Sequence, residues 1–123
     1  MTPERRACQR FQVAGGTVDW TSKTDPGQGA TECPLGDLSR GGVRFLTPGP
    51  PKDGTLVEVT LHVPGEAESL QVQGSVAWTL VSGGQLYHVA IAFAPYSAVP
   101  GANDPAALER LVGIEARFLD SPA

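Results

Sequence analysis

A chain of 123 residues with 41% apolar side chains has enough material for one domain around one hydrophobic core. Its formal charge of −4 argues against DNA, RNA or an anionic membrane surface as a nonspecific partner. Fifteen glycines and eleven prolines suit short strands joined by turns better than a helical bundle.

The charge is unevenly spread. Residues 1–44 hold six basic and five acidic groups, whereas residues 45–123 hold three and eight. Arg5, Arg6 and Arg10 crowd the start, in "RRACQR". That start is charged and has no apolar segment of the kind that opens a secretory signal, so a cytoplasmic protein with reduced thiols is expected. Cys8 and Cys33 match neither a CxxC pair nor a zinc-ligand spacing. Cys8, between arginines, is either a redox-sensitive thiol or an incidental one.

After the arginines, Phe11 and Val13 are apolar at odd positions and Val18 and Trp20 at even ones. The phase switches across Gly15–Gly16, which predicts a bulge or sharp bend. Residues 21–29 read as a turn or loop. "ATECPLGDL" is a strand interrupted by Pro34 and is therefore assigned to an edge. "GVRFL" is a short strand with Val43 and Phe45 facing one way and Arg44 the other. "TLVEVTLHV" alternates strictly, with Val57, Val59, Leu61 and Val63 on one face. In "SLQVQGSVAWTL" the same rule places Leu70, Val72, Val76, Trp78 and Leu80 together, and Trp20 and Trp78 are read as core or as bordering a site. "LYHVAIAFA" follows through a hairpin turn at residues 82–85. His62 and His88 sit singly on strands, with no second metal ligand beside them.

"NDPAALERLVGIEARFLD" closes the chain as a helix over about 104–120, capped by Asn103 or Asp104, with Pro105 in its first turn. Leu108, Leu111, Val112, Phe118 and Leu119 form its apolar stripe, which Glu115 interrupts. Six short strands and one terminal helix make a mainly β domain over residues 1–123, an antiparallel barrel or sandwich capped by a helix.

Two motifs carry the chemistry. Arg6-Ala7-Cys8-Gln9-Arg10 reads RxxxR; Asp37-Leu38-Ser39-Arg40-Gly41-Gly42 reads DxSxxG, with 26 residues between Arg10 and Asp37. Separately, the first suits a solvated terminus and the second an Asx or ST turn feeding a strand. In this order, ahead of alternating strands, they resemble the PilZ domain family. The resemblance spans roughly residues 4–120 and extends to "QGSVAW" and "AIAF", with Ala90 standing where the family often has glycine.

That resemblance implies a six-stranded antiparallel split barrel over about residues 11–96, preceded by an arginine-rich segment (1–10) and followed by the helix. It implies a receptor for cyclic di-GMP, with no metal, no cofactor and no catalysis, that signals to an unidentified downstream protein. The family's pathways are motility, pili and polysaccharide synthesis. Arg6 and Arg10 are implied as contacts to phosphate and to the guanine edge, Asp37 as an acceptor for guanine N–H groups, and Ser39 as a partner for base or phosphate. Gly41 and Gly42 are expected to supply positive φ and close approach to the ligand. Arg5 and Arg40 are either further contacts or surface charges, and Arg44 is open in the same way.

The chemistry of the pair fits independently. Guanine presents O6 and N7 side by side to an arginine fork, and one bidentate pair gives about 1–3 kcal/mol of discrimination. With no partner strand evident for it, the arginine segment is expected to order only when ligand binds. A protein-interaction adaptor on the same fold that binds no nucleotide is the competing reading. A hydrolase is disfavoured, because the sequence contains no paired carboxylates, nucleophile elbow or metal constellation. Monomer and homodimer are both open.

Overall fold

The computed structural model describes residues 9–119, so Arg5, Arg6 and Cys8 lie outside the described residues. Among the described residues the chain forms seven strands and one helix: β1 (Phe11–Gln12), β2 (Thr17–Ser22), β3 (Gly29–Ser39), β4 (Gly42–Thr47), β5 (Leu56–His62), β6 (Leu70–Gly83), β7 (Leu86–Phe93) and α1 (Pro105–Leu119). Six of them close into an antiparallel barrel in the order β3-β2-β5-β6-β7-β4, with β4 returning to β3; β1 lies beside β3. The six-stranded barrel with a C-terminal helix expected from the sequence is the fold found.

Alternation explains the wall. Val57, Val59 and Leu61 of β5 are all fully buried, as are Val18 and Trp20 of β2, Val43 and Phe45 of β4, and Val89 and Ile91 of β7. Each fully buried aliphatic or aromatic side chain contributes roughly 1.5–3 kcal/mol. The bend expected at Gly15–Gly16 is present: Gly15 has φ 82°, and the Gly16 N–H donates to Val13 O at 3.3 Å. The β6–β7 hairpin turns through Gly84 and Gln85, both with positive φ (60° and 67°), the twist that a two-residue hairpin needs.

Two expectations are corrected. First, β3 is not an edge. It pairs with β2 through Pro34 and then with β4 from Leu35, so proline falls where the strand passes from one neighbour to the next. Directly after the arginine segment, Phe11 and Gln12 of β1 pair with Leu38 and Asp37 of β3. Phe11 is buried and stacks on Phe118 of α1 with ring centroids 5.7 Å apart. Secondly, Trp78 and Leu80 are not core. A bulge between Val76 and Trp78 shifts the phase, and beyond it β6 leaves the barrel wall, so that Trp78 is 39% and Leu80 61% exposed.

The helix also turns a different face inward than its stripe suggested. Ala107, Leu111 and Ile114 are buried, whereas Val112 is exposed. Glu115 accepts both Arg40 Nε (2.9 Å) and Arg40 Nη2 (3.2 Å), so the carboxylate in the stripe is an ion-pair partner rather than a packing defect. Asp104 caps the helix through the Ala106 N–H at 2.9 Å.

Asn103 does something else. Its Oδ1 accepts the Gln73 N–H (2.7 Å), and its Nδ2 donates to Gln73 O and Ala94 O (both 3.0 Å). The residue is buried, so removing its amide strands three backbone groups. Asn103→Ala is expected to lower stability by roughly 2–4 kcal/mol in urea unfolding, while Asp104→Ala costs only about 1 kcal/mol.

A second device sits on β2. Glu32 adopts φ 56° where β3 bulges opposite Asp19, and Asp19 Oδ1 accepts the Glu32 N–H at 2.8 Å. Asp19 Oδ2 meets His62 Nε2 at 2.9 Å. Burial works to raise the Asp19 pKa, but the Glu32 hydrogen bond and the His62 contacts outweigh it and hold the carboxyl below its ordinary value. A carboxylate with a lowered folded-state pKa stabilises the fold above its unfolded pKa and loses that contribution as pH falls through the folded value. The stability gap between the wild type and Asp19→Ala should therefore be present at neutral pH and shrink below about pH 4, as read by thermal melts across pH.

Candidate functional site

The DxSxxG motif occupies the end of β3, a two-residue turn at Arg40–Gly41, and the first residue of β4. The Ser39 hydroxyl is buried in this turn. Its Oγ accepts the Gly41 N–H at 3.2 Å and donates to Gly42 O at 3.5 Å, which fixes the turn's shape.

Asp37 sits two residues earlier, and the register places it opposite Arg44 of β4. Its Oδ1 is 2.8 Å from Arg10 Nη1, and its Oδ2 is 2.6 Å from Arg44 Nη2. The carboxylate is only 11% exposed, whereas the Arg10 and Arg44 side chains are 54% and 36% exposed. One shielded anion thus holds two accessible guanidinium groups side by side. The strand explains Arg44: its neighbours Val43 and Phe45 point into the core, so Arg44 points outward.

The same register runs further. Arg44 is opposite Ala90 of β7, and Ala90 is opposite Trp78 of β6. Asp37, Arg44, Ala90 and Trp78 therefore lie in one row across four strands on the outer face, and Arg44 and Trp78 are two strand spacings apart, about 10 Å. The residue between them is an alanine, whose small side chain leaves the floor of this row shallow. Sequence alone left Trp78 between core and site border; the bulge after Val76 is what puts it on the outer face.

Not every motif residue joins this row. Arg40 turns away to Glu115 of α1, and its carbonyl accepts the Tyr96 hydroxyl at 2.5 Å. Neither Gly41 nor Gly42 has positive φ, contrary to expectation. Gly42 is instead required by packing, because a Cβ there would stand 2.4 Å from the Ile91 carbonyl oxygen of β7. Close backbone approach is its role, but to a neighbouring strand. Arg6 and Arg5 lie outside the described residues, so their placement relative to Asp37 is not described.

Beside this region, a groove of about 380 Å³ starts at Ala92, the strand partner of Gly42, and is walled by Leu56, Ser75, Phe93 and Pro95. Lys23 stands at its rim, bonded to Gln73. Among the described residues there is no group of three or more His, Cys, Asp or Glu arranged to hold a metal. Cys33 is buried, and burial pushes its thiol pKa up, away from reactivity. No described helix is long and apolar enough to cross a membrane.

Comparison with solved structures supports the architecture. The PilZ domain of YcgR from Escherichia coli, solved with c-di-GMP, superposes with a TM-score of 0.66 at 16% identity, covering 94% of this chain and 92% of that one. The Bacillus subtilis inhibitor of motility MotI (DgrA) gives 0.67 at 13% identity, over 97% of this chain and 54% of that one. The K. pneumonia MrkH–c-di-GMP complex gives 0.68 at 17% identity, over 94% and 53%. The chain thus spans about half the length of MotI and MrkH, and at these identities the likeness is one of fold. No curated protein matches the sequence. The family model for the PilZ domain matches residues 4–112, which takes in both motifs and the entire barrel. The chain belongs to the PilZ domain family.

Proposed function

We propose that this chain is a cyclic di-GMP receptor that acts through a downstream protein and carries out no catalysis itself. The observation that carries the reading is Asp37 held between Arg10 and Arg44, with Ser39 in the adjoining turn. This supplies what the ligand's chemistry asks for. Guanidinium forks meet phosphate oxygens and guanine O6/N7; a shielded carboxylate accepts guanine N1–H and N2–H. Family membership supports the ligand, and so do the YcgR and MrkH structures, both solved with c-di-GMP.

In this reading Arg10 and Arg6 grip phosphate and base, Arg44 adds a third cation, and Trp78 offers a flat face at the far end of the row for a base to stack on. Ser39 and Gly42 hold the turn that presents Asp37. Arg40 serves the helix, Gly41 the turn, and Arg5 is a peripheral contact. The domain acts as a single unit. The segment before Phe11 orders over the nucleotide, while Phe11 and Gln12 are already paired with β3 and anchor it.

Hydrogen exchange with and without cyclic di-GMP tests this. Amides of residues 4–10 and 37–44 are expected to gain protection on saturation, and Phe11 and Gln12 to change little. Identical exchange in both states would favour an adaptor that binds no nucleotide.

A further inference from the structure

The charges of this chain are absent from one continuous stretch. Residues 69–103 contain no Asp, Glu, Lys or Arg, and all nine basic and thirteen acidic residues lie outside it. That stretch contains the β6–β7 hairpin. From Leu70 to Ser75, β6 pairs with β5, and from Gly74 onward it also pairs with β7. The Val76 backbone still meets Gly54 and Thr55, but beyond it β5 has turned away and β6 keeps only β7. Among the described residues, the other edge of residues 77–83 has no strand partner.

An unpaired edge is a template for another strand, and proteins usually blunt it with lysine, proline or another charge. Here the edge reads Ala77-Trp78-Thr79-Leu80-Val81-Ser82, without charge or proline, and Leu80 and Val81 are 61% and 70% exposed. Bulges at either end, between Val76 and Trp78 and between Val81 and Gly83, bracket a regular run of four residues, Trp78–Val81.

We propose that this edge pairs antiparallel with the same edge of a second copy of the chain, about a two-fold axis at Thr79. A residue's opposite number in an antiparallel pair faces the same side of the sheet. With the axis at Thr79, each Trp78 lies opposite Leu80 of the other copy, and Thr79 lies opposite Thr79. Aromatic–aliphatic and Thr–Thr pairs are both favourable cross-strand neighbours. A second copy is the occupant that the chemistry of this edge suits best. The edge carries no charge by which an oppositely charged partner would be selected, and like charges, which would forbid self-pairing, are missing. Pairing consumes the free edge on both copies, so assembly stops at a closed dimer. The contact is short, which predicts a weak dimer with a dissociation constant on the order of 10–100 μM. The inference does not depend on the nucleotide reading.

Sedimentation velocity from about 5 to 500 μM tests it, together with hydrogen exchange at both ends of that range. Wild type is expected to pass from monomer to dimer, with amides 77–82 gaining protection as concentration rises. Thr79→Lys and Leu80→Lys each place ammonium groups near their symmetry mates and should weaken the dimer by about tenfold or more. Val99→Lys, at another exposed apolar site, should leave it unchanged. A monomer throughout the range would overturn the proposal, as would a dimer indifferent to both edge variants. Protection of residues 77–82 that does not vary with concentration would also overturn it, since the edge would then be covered within one copy of the chain. If a lysine variant unfolds, the concentration dependence of wild-type exchange decides alone.

Discussion

Arg10→Ala is expected to weaken cyclic di-GMP binding by roughly a hundredfold or more while changing the melting temperature little. The two effects separate because Arg10 stands in different company in each. In the free protein its side chain is half exposed and its bond to Asp37 is a surface ion pair, worth about 0–1 kcal/mol. Against a nucleotide it would make charge-assisted, forked hydrogen bonds to phosphate or to guanine, each worth about 1–3 kcal/mol. Asp37→Ala should behave differently. It removes the anion that holds Arg10 and Arg44 together, so both affinity and local order should fall. Equilibrium dialysis beside a thermal melt measures both quantities. A large loss of stability in Arg10→Ala with unchanged affinity would make the arginine structural and remove it from the site.

Gly42→Ala should be the most destabilising single-methyl change in the motif, by roughly 3 kcal/mol or more in urea unfolding. The added Cβ would stand 2.4 Å from the backbone oxygen of Ile91, and a strand carbonyl cannot swing aside as a side chain can. Relief requires β4 and β7 to move apart, and β4 is the strand that closes the barrel between β7 and β3. That movement would also displace Arg44, two residues along. The last glycine of the motif thus acts on binding through barrel closure. A Gly42→Ala variant as stable as wild type would contradict this assignment.

How far the site could be read from sequence depended on whether its determinants were local. Arg44 was legible as an outward residue because Val43 and Phe45 flank it, and Asp37 and Ser39 were legible because the motif spells them. What the sequence could not rank was Arg40 against Arg44. Both are arginines near Asp37 in the chain, and only register separates them: Arg44 stands opposite Asp37, whereas Arg40, in the turn, reaches Glu115 on a helix 75 residues away. Trp78 was misplaced for a related reason. Alternation carries a strand's phase forward only while pairing is regular, and a one-residue bulge resets it without any local signature in "SVAWTL".

The fold itself was the easier part. One buried face makes β5 and β7 alternate visibly, and the glycine pairs at 15–16 and 83–84 mark turns by their conformational needs. Pro34 is ambiguous in sequence because a missing N–H suits an edge strand equally well, whereas here it marks the point where β3 changes neighbours. Asn103 is similar: its sequence position suggested a helix cap, but its amide is used to pin β6 to the chain that precedes the helix.

Calorimetric titration of cyclic di-GMP into the protein at physiological salt decides whether this chain is a receptor. Saturable heat is expected that yields a stoichiometry, persists in excess GTP, and is lost in Arg10→Ala. No heat and no shift in melting temperature, from protein whose barrel is intact by circular dichroism, would contradict the receptor reading.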